Sequence, residues 1–525
     1  MRNTNQRRWR SAVALLAVTA VLFTACISDK KSDGGTAEPV SKADPNGVIK
    51  VGYDLQQENL EFSFDPSTAT AAATANDALF DLLFGRLMRQ NKDGTLSPDL
   101  AKSAEVVDKT TIKVVLRDGL VFSDGTALDA NAVKASLERN LANRAKNEVG
   151  FLTPYFSLQS IDVVSPTELK FNIPDGTAPS WYDQHIGTWK TTIVKPGANF
   201  EEIGAGPMKI VSHTPGEKIV MTANDKYWNA KAVKIKGIEF QQVAFAQPQA
   251  GIAALGQGQF DVTTTDPSQL AALSGKLKAV SRVSPDQTAT IMLCKADGPL
   301  ADVRVRKALN KGIDRKAISE AVFGGTAEPA TQMWPTGHKF NNPDVDKDLA
   351  YDPEGARDLL DKAGYKDGVS IDLYPLDFAG LSQAAEVIKQ QLSEIGVTIN
   401  LKTGVNFVSD FLVPQKHAMG LYPGNNSGSQ KLTSWTGNSL GNLCKYNDPK
   451  ITDYFNQLNA LSANDPKAVQ IWQDAEKLVV DDALSIFVLF RATLGAYNTD
   501  RLGDMTPMVL GQYIVPDPFK TYVKA

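Results

Sequence analysis

The chain has 525 residues, of which 42% are hydrophobic and 22% charged, with 55 basic against 59 acidic side chains. That length can bury large cores and suggests two or three domains. The slight acidic excess excludes the basic face that nucleic-acid binding demands.

The chain opens on RRWRSAVALLAVTAVLFTAC, Arg7 to Cys26: three arginines, an apolar run from Ala12 to Phe23, then small residues. This is the pattern of a secretory signal peptide over residues 1–25. The apolar run is short of the roughly 20 residues needed to span a bilayer. Cys26 directly after Ala25 resembles the lipobox of bacterial lipoproteins, although Phe23 departs from the aliphatic residue usual there. On that reading Cys26 is acylated and becomes the first mature residue, anchored to the outer face of the cytoplasmic membrane. The signal carries four of the 55 basic residues and no acid, leaving 51 against 59, or −8, in the mature chain. Residues 27–46 are polar and turn-rich, a flexible tether with an end-to-end distance of roughly 25 Å. Export also permits a disulfide between Cys294 and Cys444; two buried free thiols are the alternative.

Order is expected from the strand Val48–Val51. Phe64-Asp65-Pro66 reads as a turn, followed by an Ala-rich helix from about Thr70 to Leu87. Ile112, Val114 and Leu116 alternate as a half-buried strand does, and Asp129 can cap a helix over Ala130–Asn140. Gly204–Trp228 reads as a Gly-Pro turn, a strand and an aromatic surface turn whose Trp228 plugs a core. Strands follow at Lys234–Phe240, after Gly258 and at Thr288–Leu293, with a short helix at Ala250–Leu255. The stretch Asp302–Ile318 is helical. Asp352 and Pro353 supply an N-cap and N1 pair, and Gly364 a stop. Val369–Leu373, a helix ending at Gly396, and Val397–Leu401 make a βαβ unit with parallel pairing. Leu421–Asn442 reads as a polar loop, then a helix at Ala468–Val480 and a buried strand at Ser485–Phe490.

Seven stretches in this order resemble the bacterial extracellular solute-binding proteins of family 5: LFDLLFGRL with SPDLA; LRDGLVFSDGTALDANAVKASLERN; GAGPMKI with NDKYW; GQGQFDV; DVRVRKALNKGIDRKAI; YDPEGARDLLDKAG; and AAEVIKQQLSEIGV. The resemblance implies an α/β, two-lobed periplasmic-binding-protein-like fold with an extra α+β subdomain inserted in lobe one. Lobe one would comprise residues 47–84, 204–293 and 486–525, the insert 85–203, and lobe two 294–485. It further implies a monomer that binds solute in the cleft and delivers it to an ABC importer permease, with no cofactor.

Peptide-binding members hold the ligand ammonium with an acid in a loop about thirty residues after the I-G-V helix end. Here that loop reads Tyr422-Pro423-Gly424-Asn425-Asn426, and the arginine that dipeptide binders use for the carboxylate falls at Ser382. An amide suits a neutral hydroxyl or carbonyl, whereas a buried ammonium without a carboxylate is costly. The departures point to a peptide or peptide-like ligand without a free zwitterion, or to a neutral solute such as an oligosaccharide or glycoside. Candidate ligand contacts are Phe64, Trp181, Trp334, Ser382, Tyr422, Asn425 and Asn426, with Trp189 also considered. Aromatics stack on peptides or sugars at low entropic cost, although each indole has packing as its plainer explanation. His185, His213, His338 and His417 lack ligand spacing, so no metal site is expected. No GxSxG elbow, GxxxxGK[ST] loop or CxxC is present, which disfavours the rival reading of an exported hydrolase. A sensor or adhesin on the same fold would bind solute without a permease.

Overall fold

The computed structural model describes residues 43–525 apart from 56–62, 68–76, 92–93, 147–157, 198–199, 245–247, 294–297, 377–379, 404–418, 425–427, 438–441, 443–445, 510 and 512. Aspartate caps punctuate the second half of the chain. Asp302, Asp314, Asp352, Asp448 and Asp465 each accept a hydrogen bond from a backbone N–H two or three residues on, satisfying an otherwise orphaned donor. They open the helices Val303–Lys311, Arg315–Phe323, Pro353–Lys362, Pro449–Asn459 and Pro466–Asp481, three with proline in the first turn. The stretch 302–318 is thus two helices, the first ending at Gly312. The helix expected over residues 70–87 is described from Asp77 to Phe84 and stops where Gly85 takes φ +69°.

The main strands are β1 (Val48–Tyr53), β2 (Met208–Thr214), β3 (Lys218–Ala223), β4 (Gly237–Gln242), β5 (Val262–Thr265), β6 (Leu277–Leu293), β7 (Val369–Pro375), β8 (Val397–Leu401), β9 (Met419–Gly424) and β10 (Ser485–Asn498). They form one mixed sheet in the order β8-β7-β9-β6-β10-β5-β1-β4-β3-β2, with the short strand Glu328–Pro329 paired to β10 off this path. Helix Leu381–Ser393 joins β7 to parallel β8, which is the expected βαβ unit. The loop expected from Leu421 begins instead as β9. Leu421 is fully buried and pairs with β7 on one side and β6 on the other, which overrides the weak strand propensity of Tyr-Pro-Gly.

Four principal cores flank this sheet. One gathers Ile49, Phe80, Phe84, Ile238 and Ile514. A second, from the inserted segment, gathers Ile112, Leu116, Val133, Leu169 and Phe171 under a separate four-stranded antiparallel sheet. The third holds Leu309, Ile371, Ile388, Leu421 and Val488, and the fourth Trp334, Phe340, Leu432, Trp472 and Phe490. Strands β6, of 17 residues, and β10, of 14, are the longest described strands and pair with each other over most of their length. The two ends of β10 pack in different places, Val488 in the third core and Ala496 against Leu255 and Phe260.

Two motif stretches have a structural reason. A Cβ at Gly204 or Gly206 would lie 2.3 Å from Leu83 O or 2.4 Å from Leu82 O, so GAGP can approach the helix Asp77–Phe84 only without side chains. The second is the joint between SPDLA and NDKYW. Asp99 is 1% exposed and accepts from the Tyr227 hydroxyl (2.6 Å), Trp228 Nε1 (2.8 Å), Arg89 (3.0 Å) and the Arg86 backbone N–H (3.1 Å). Trp228 therefore does not plug a core. It is 38% exposed, with the Arg117 guanidinium 3.5 Å above its ring.

Candidate functional site

Strand β1 has parallel neighbours on both sides, β4 and β5, and so has β7, between β8 and β9. At such a switch point the connections leave in opposite directions, and a crevice opens at the carboxyl ends of the strands. The register brings the two crevices to one place. Thr265 at the end of β5 lies opposite Leu494 of β10, while Gly424 at the end of β9 lies opposite Thr288 of β6, itself paired with Phe490. Four residue steps along β10, from Phe490 to Leu494, separate the two ends, roughly 13 Å of strand. Between them, from Val283 to Thr288, the β6–β10 ladder breaks register.

A broken ladder leaves carbonyls that must find other donors. Lys431 Nζ donates to Pro285 O (2.8 Å), lies 3.7 Å from Asp286 Oδ1, and sits 4.6 Å over the Trp334 ring. Arg491 Nε donates to Thr288 O at 3.3 Å. On the other side of the break, Thr493 Oγ1 donates to Gln287 (3.0 Å), and Arg282 donates to Met508 O (2.5 Å) and to Gly511 O. Burial pulls both Arg282 and Arg491 down to about 10, so each stays charged at neutral pH. The break is therefore a cation-braced bend joining the two crevices.

In the first crevice, Gly52, Asp54, Val243, Ala244, Thr263, Thr264 and Tyr513 line a small recess at the ends of β1, β4 and β5. Gln242 braces its rim, donating to Asp54 Oδ1 (3.1 Å) and accepting from Leu55 N (2.5 Å). The rings of Tyr53 and Tyr513 pack beside it, tilted at 49° with centroids 4.7 Å apart. In the second crevice, Tyr422 lies opposite Thr290 on β6. Burial raises its phenol pKa, opposed by a hydrogen bond with the Ser434 side chain.

The predicted contacts do not gather in one spot. Tyr422 lies in the second crevice, and Ser382 is half-buried near the start of helix Leu381–Ser393. Phe64 is 1% exposed among Phe80, Phe84 and His213, at 6.3, 6.3 and 5.5 Å. Trp181 packs edge-on to Phe171 in the inserted core, and Trp189 lies in the first core. Trp334 stacks on His338 at 4.3 Å and meets Trp472 edge-on at 5.2 Å. For these four rings, burial is what the structure presents. Asn425, Asn426, Cys26, Cys294 and Cys444 lie outside the described residues. The sequence reading missed Lys431, Arg282 and Arg491; their one signal was Ser284-Pro285-Asp286, a strand breaker inside a strand-like run. Among the described residues no group of three His, Cys, Asp or Glu is arranged to hold a metal, and no helix is long and apolar enough to cross a membrane.

Behind Trp334, fully buried Glu476 accepts the backbone N–H groups of Met333 (3.1 Å) and Trp334 (3.0 Å). Burial, the largest influence, pushes its carboxyl up to about 8 from an ordinary 4.5; the two N–H bonds and nearby Lys431 oppose it. Between those values the folded chain keeps a proton that the unfolded chain releases. Stability should therefore fall as pH rises from about 4.5 to about 8, then level off. Glu476→Gln is expected to flatten that slope in melting curves taken from pH 5 to 8. An unchanged slope would assign the effect elsewhere.

The chain can now be set beside known proteins. Residues 95–438 match the model of the bacterial extracellular solute-binding proteins, family 5 Middle. The glutathione-binding protein GsiB of Escherichia coli O6:K15:H31 is 26% identical over 400 residues, 74% of this chain and 72% of GsiB. The ABC transporter substrate-binding protein CtaP of Listeria monocytogenes superposes with a TM-score of 0.77 at 21% identity, covering 91% of this chain and all of CtaP. NikA from Brucella suis, solved with Fe(III)-EDTA, also gives 0.77, at 20% identity and the same coverage. The family model spans well over half the chain, and the fold is shared with these solved structures over 91% of its length. The chain belongs to the bacterial extracellular solute-binding proteins of family 5, which capture ligands outside the cytoplasm and work with ABC importers.

Proposed function

We propose that this chain, tethered through a lipid on Cys26, captures a short peptide-like solute without an ordinary free zwitterion and hands it to an ABC importer. The observation that carries the capture reading is the register. Strand ends from both halves converge on one braced break, so a solute seated there touches both halves at once and favours their closing together. For the class of solute, the hydroxyl of Ser382 and the amides of Asn425 and Asn426 offer hydrogen bonds but no charge partner to a dipeptide's termini. The name of GsiB favours a peptide-like solute over a sugar. Lobe boundaries near residues 293 and 486, with residues 85–203 as an insert in the first lobe, complete the reading.

Native mass spectrometry of the membrane-extracted protein tests both parts. We expect an intact mass that starts at an acylated Cys26, and one trapped peptide-like molecule per chain. An unmodified amino terminus sinks the anchor. An ordinary dipeptide with free termini held one-to-one sinks the reading of Ser382, Asn425 and Asn426. A neutral glycoside moves the chain to the alternative reading.

A further inference from the structure

The inserted segment and the second half of the chain also touch through a patch of polar side chains. Ser180, Asp183 and Gln184 stand at i, i+3 and i+4 on helix Ala178–His185 and so share one face. Ser180 Oγ donates to Asn459 O at 2.6 Å, at the end of helix Pro449–Asn459. Gln184 Nε2 donates to Ser429 Oγ (3.2 Å), which in turn donates to Asn459 Oδ1 (2.6 Å). Asp183 Oδ2 accepts from Ser462 Oγ (2.9 Å) and from Ala463 N (2.6 Å). Trp181 and Ala178, on the same helix, are held in the inserted core, whereas Leu432 and Leu458, beside Ser429 and Asn459, belong to the core around Trp334. Each half thus brings its own apolar packing, and the described contacts that join them at this patch are hydrogen bonds. Two neutral donors bond Asp183 directly, and the Lys339 ammonium acts on its charge from farther away. Such a contact is specific in geometry and modest in strength, because every bond in it can be exchanged for water on opening.

We propose that Asp183, Ser180 and Gln184 form a latch with Ser462, Ala463, Asn459 and Ser429 that biases the two halves toward the closed arrangement and slows the escape of captured solute. This rests on the reading of the chain as a two-lobed solute trap. Its position suits the role: strands β6 and β10 join the halves at the break, and Ser429 stands two residues before Lys431, which braces that break, so the patch adds a second connection that restrains rotation about the strands. Gly428 contributes by yielding space, since a Cβ there would meet the Gln184 side chain at 3.0 Å.

Small-angle scattering of the solute-stripped mature chain, from Ser28 onward, tests the latch without a ligand. Asp183→Ala and Ser462→Ala should each shift the open-to-closed ratio about tenfold toward open, read as a larger radius of gyration than wild type. Melting temperatures measured alongside show that the variants are folded; Ser462→Ala removes only a hydroxyl and guards against a misfolded Asp183→Ala. Gln184→Cys with Ser429→Cys, oxidised, should hold the compact value, and reduction should release it. If wild type and both alanine variants share one radius of gyration, compact or expanded, the latch is overturned. That outcome leaves solute capture standing, since trapped solute is read separately by mass.

Discussion

Replacing Arg315 by methionine should destabilise the second half of the chain by about 4 kcal/mol, as much as emptying a large apolar core site. Arg315 is 4% exposed, and its guanidinium donates to five backbone carbonyls: Ala330 and Phe487 (both 2.7 Å), Asn310 (3.0 Å), Ile313 (3.2 Å) and Leu349 (3.3 Å). A sixth bond reaches Asn310 Oδ1 at 3.0 Å. These acceptors come from the end of one helix, two loops and β10, so one side chain ties together elements far apart in sequence. Two effects compete in the substitution. Losing a buried cation relieves a desolvation penalty of several kcal/mol, visible in the way burial pulls Arg315 down to about 10. Against that, five buried carbonyls lose their donor, at about 1–3 kcal/mol each. The second sum is larger. Arg315→Lys should recover only part of the loss, because an ammonium has three donors from one point and cannot span acceptors set around a planar fork. Urea unfolding of both variants checks this, and a methionine variant within about 1 kcal/mol of wild type would contradict it.

The second large effect is expected at Asp99. Asp99→Ala strips the buried Tyr227 hydroxyl, the Trp228 indole N–H and the Arg86 backbone N–H of their acceptor and leaves Arg89 paired directly with Asp81, with Asp517 acting from farther away. At about 1–3 kcal/mol for a buried donor left bare, and more where a charge is involved, a total of about 3–5 kcal/mol is expected. The loss should be local. Asp99 joins the inserted segment to the NDKYW turn, so hydrogen exchange should accelerate in strands Ala101–Asp108 and Thr111–Leu116 before it does in β7 and β8. Tyr227→Phe removes one bond and should cost about 1 kcal/mol. Uniform acceleration across the molecule would show that Asp99 supports the whole fold rather than a joint.

Much of this architecture was legible in the residues. The Asp352-Pro353 pair marks a helix start by capping chemistry alone, and alternation at Val369, Ile371 and Leu373 marks β7; the same Asp-Pro signal at 448–449, which opens helix Pro449–Asn459, went unread. Elements that depend on neighbours were harder to see. β10 continues through Arg-Ala-Thr-Leu-Gly-Ala-Tyr to Asn498, a stretch with no clean alternation because ladders on both sides hold it rather than one apolar face. β9 hides behind Tyr-Pro-Gly for the same reason. The candidate site was the least visible part. Its position follows from register between strands hundreds of residues apart, and its bracing cations look like ordinary surface charges when read singly. The tryptophans, chosen for their polar flanks, lie buried because side chains distant in sequence cover them.

Hydrogen–deuterium exchange of the protein as purified, against the same protein stripped of solute by unfolding and refolding, bears most directly on capture at the converging strand ends. Bound solute should slow exchange at Tyr53–Leu55, Gln242–Ala244, Thr263–Thr265, Leu421–Gly424 and across the break at Val283–Thr288, in both halves together. Protection confined to one half, or centred on the outer strands β2 and β8, would contradict a solute held between them.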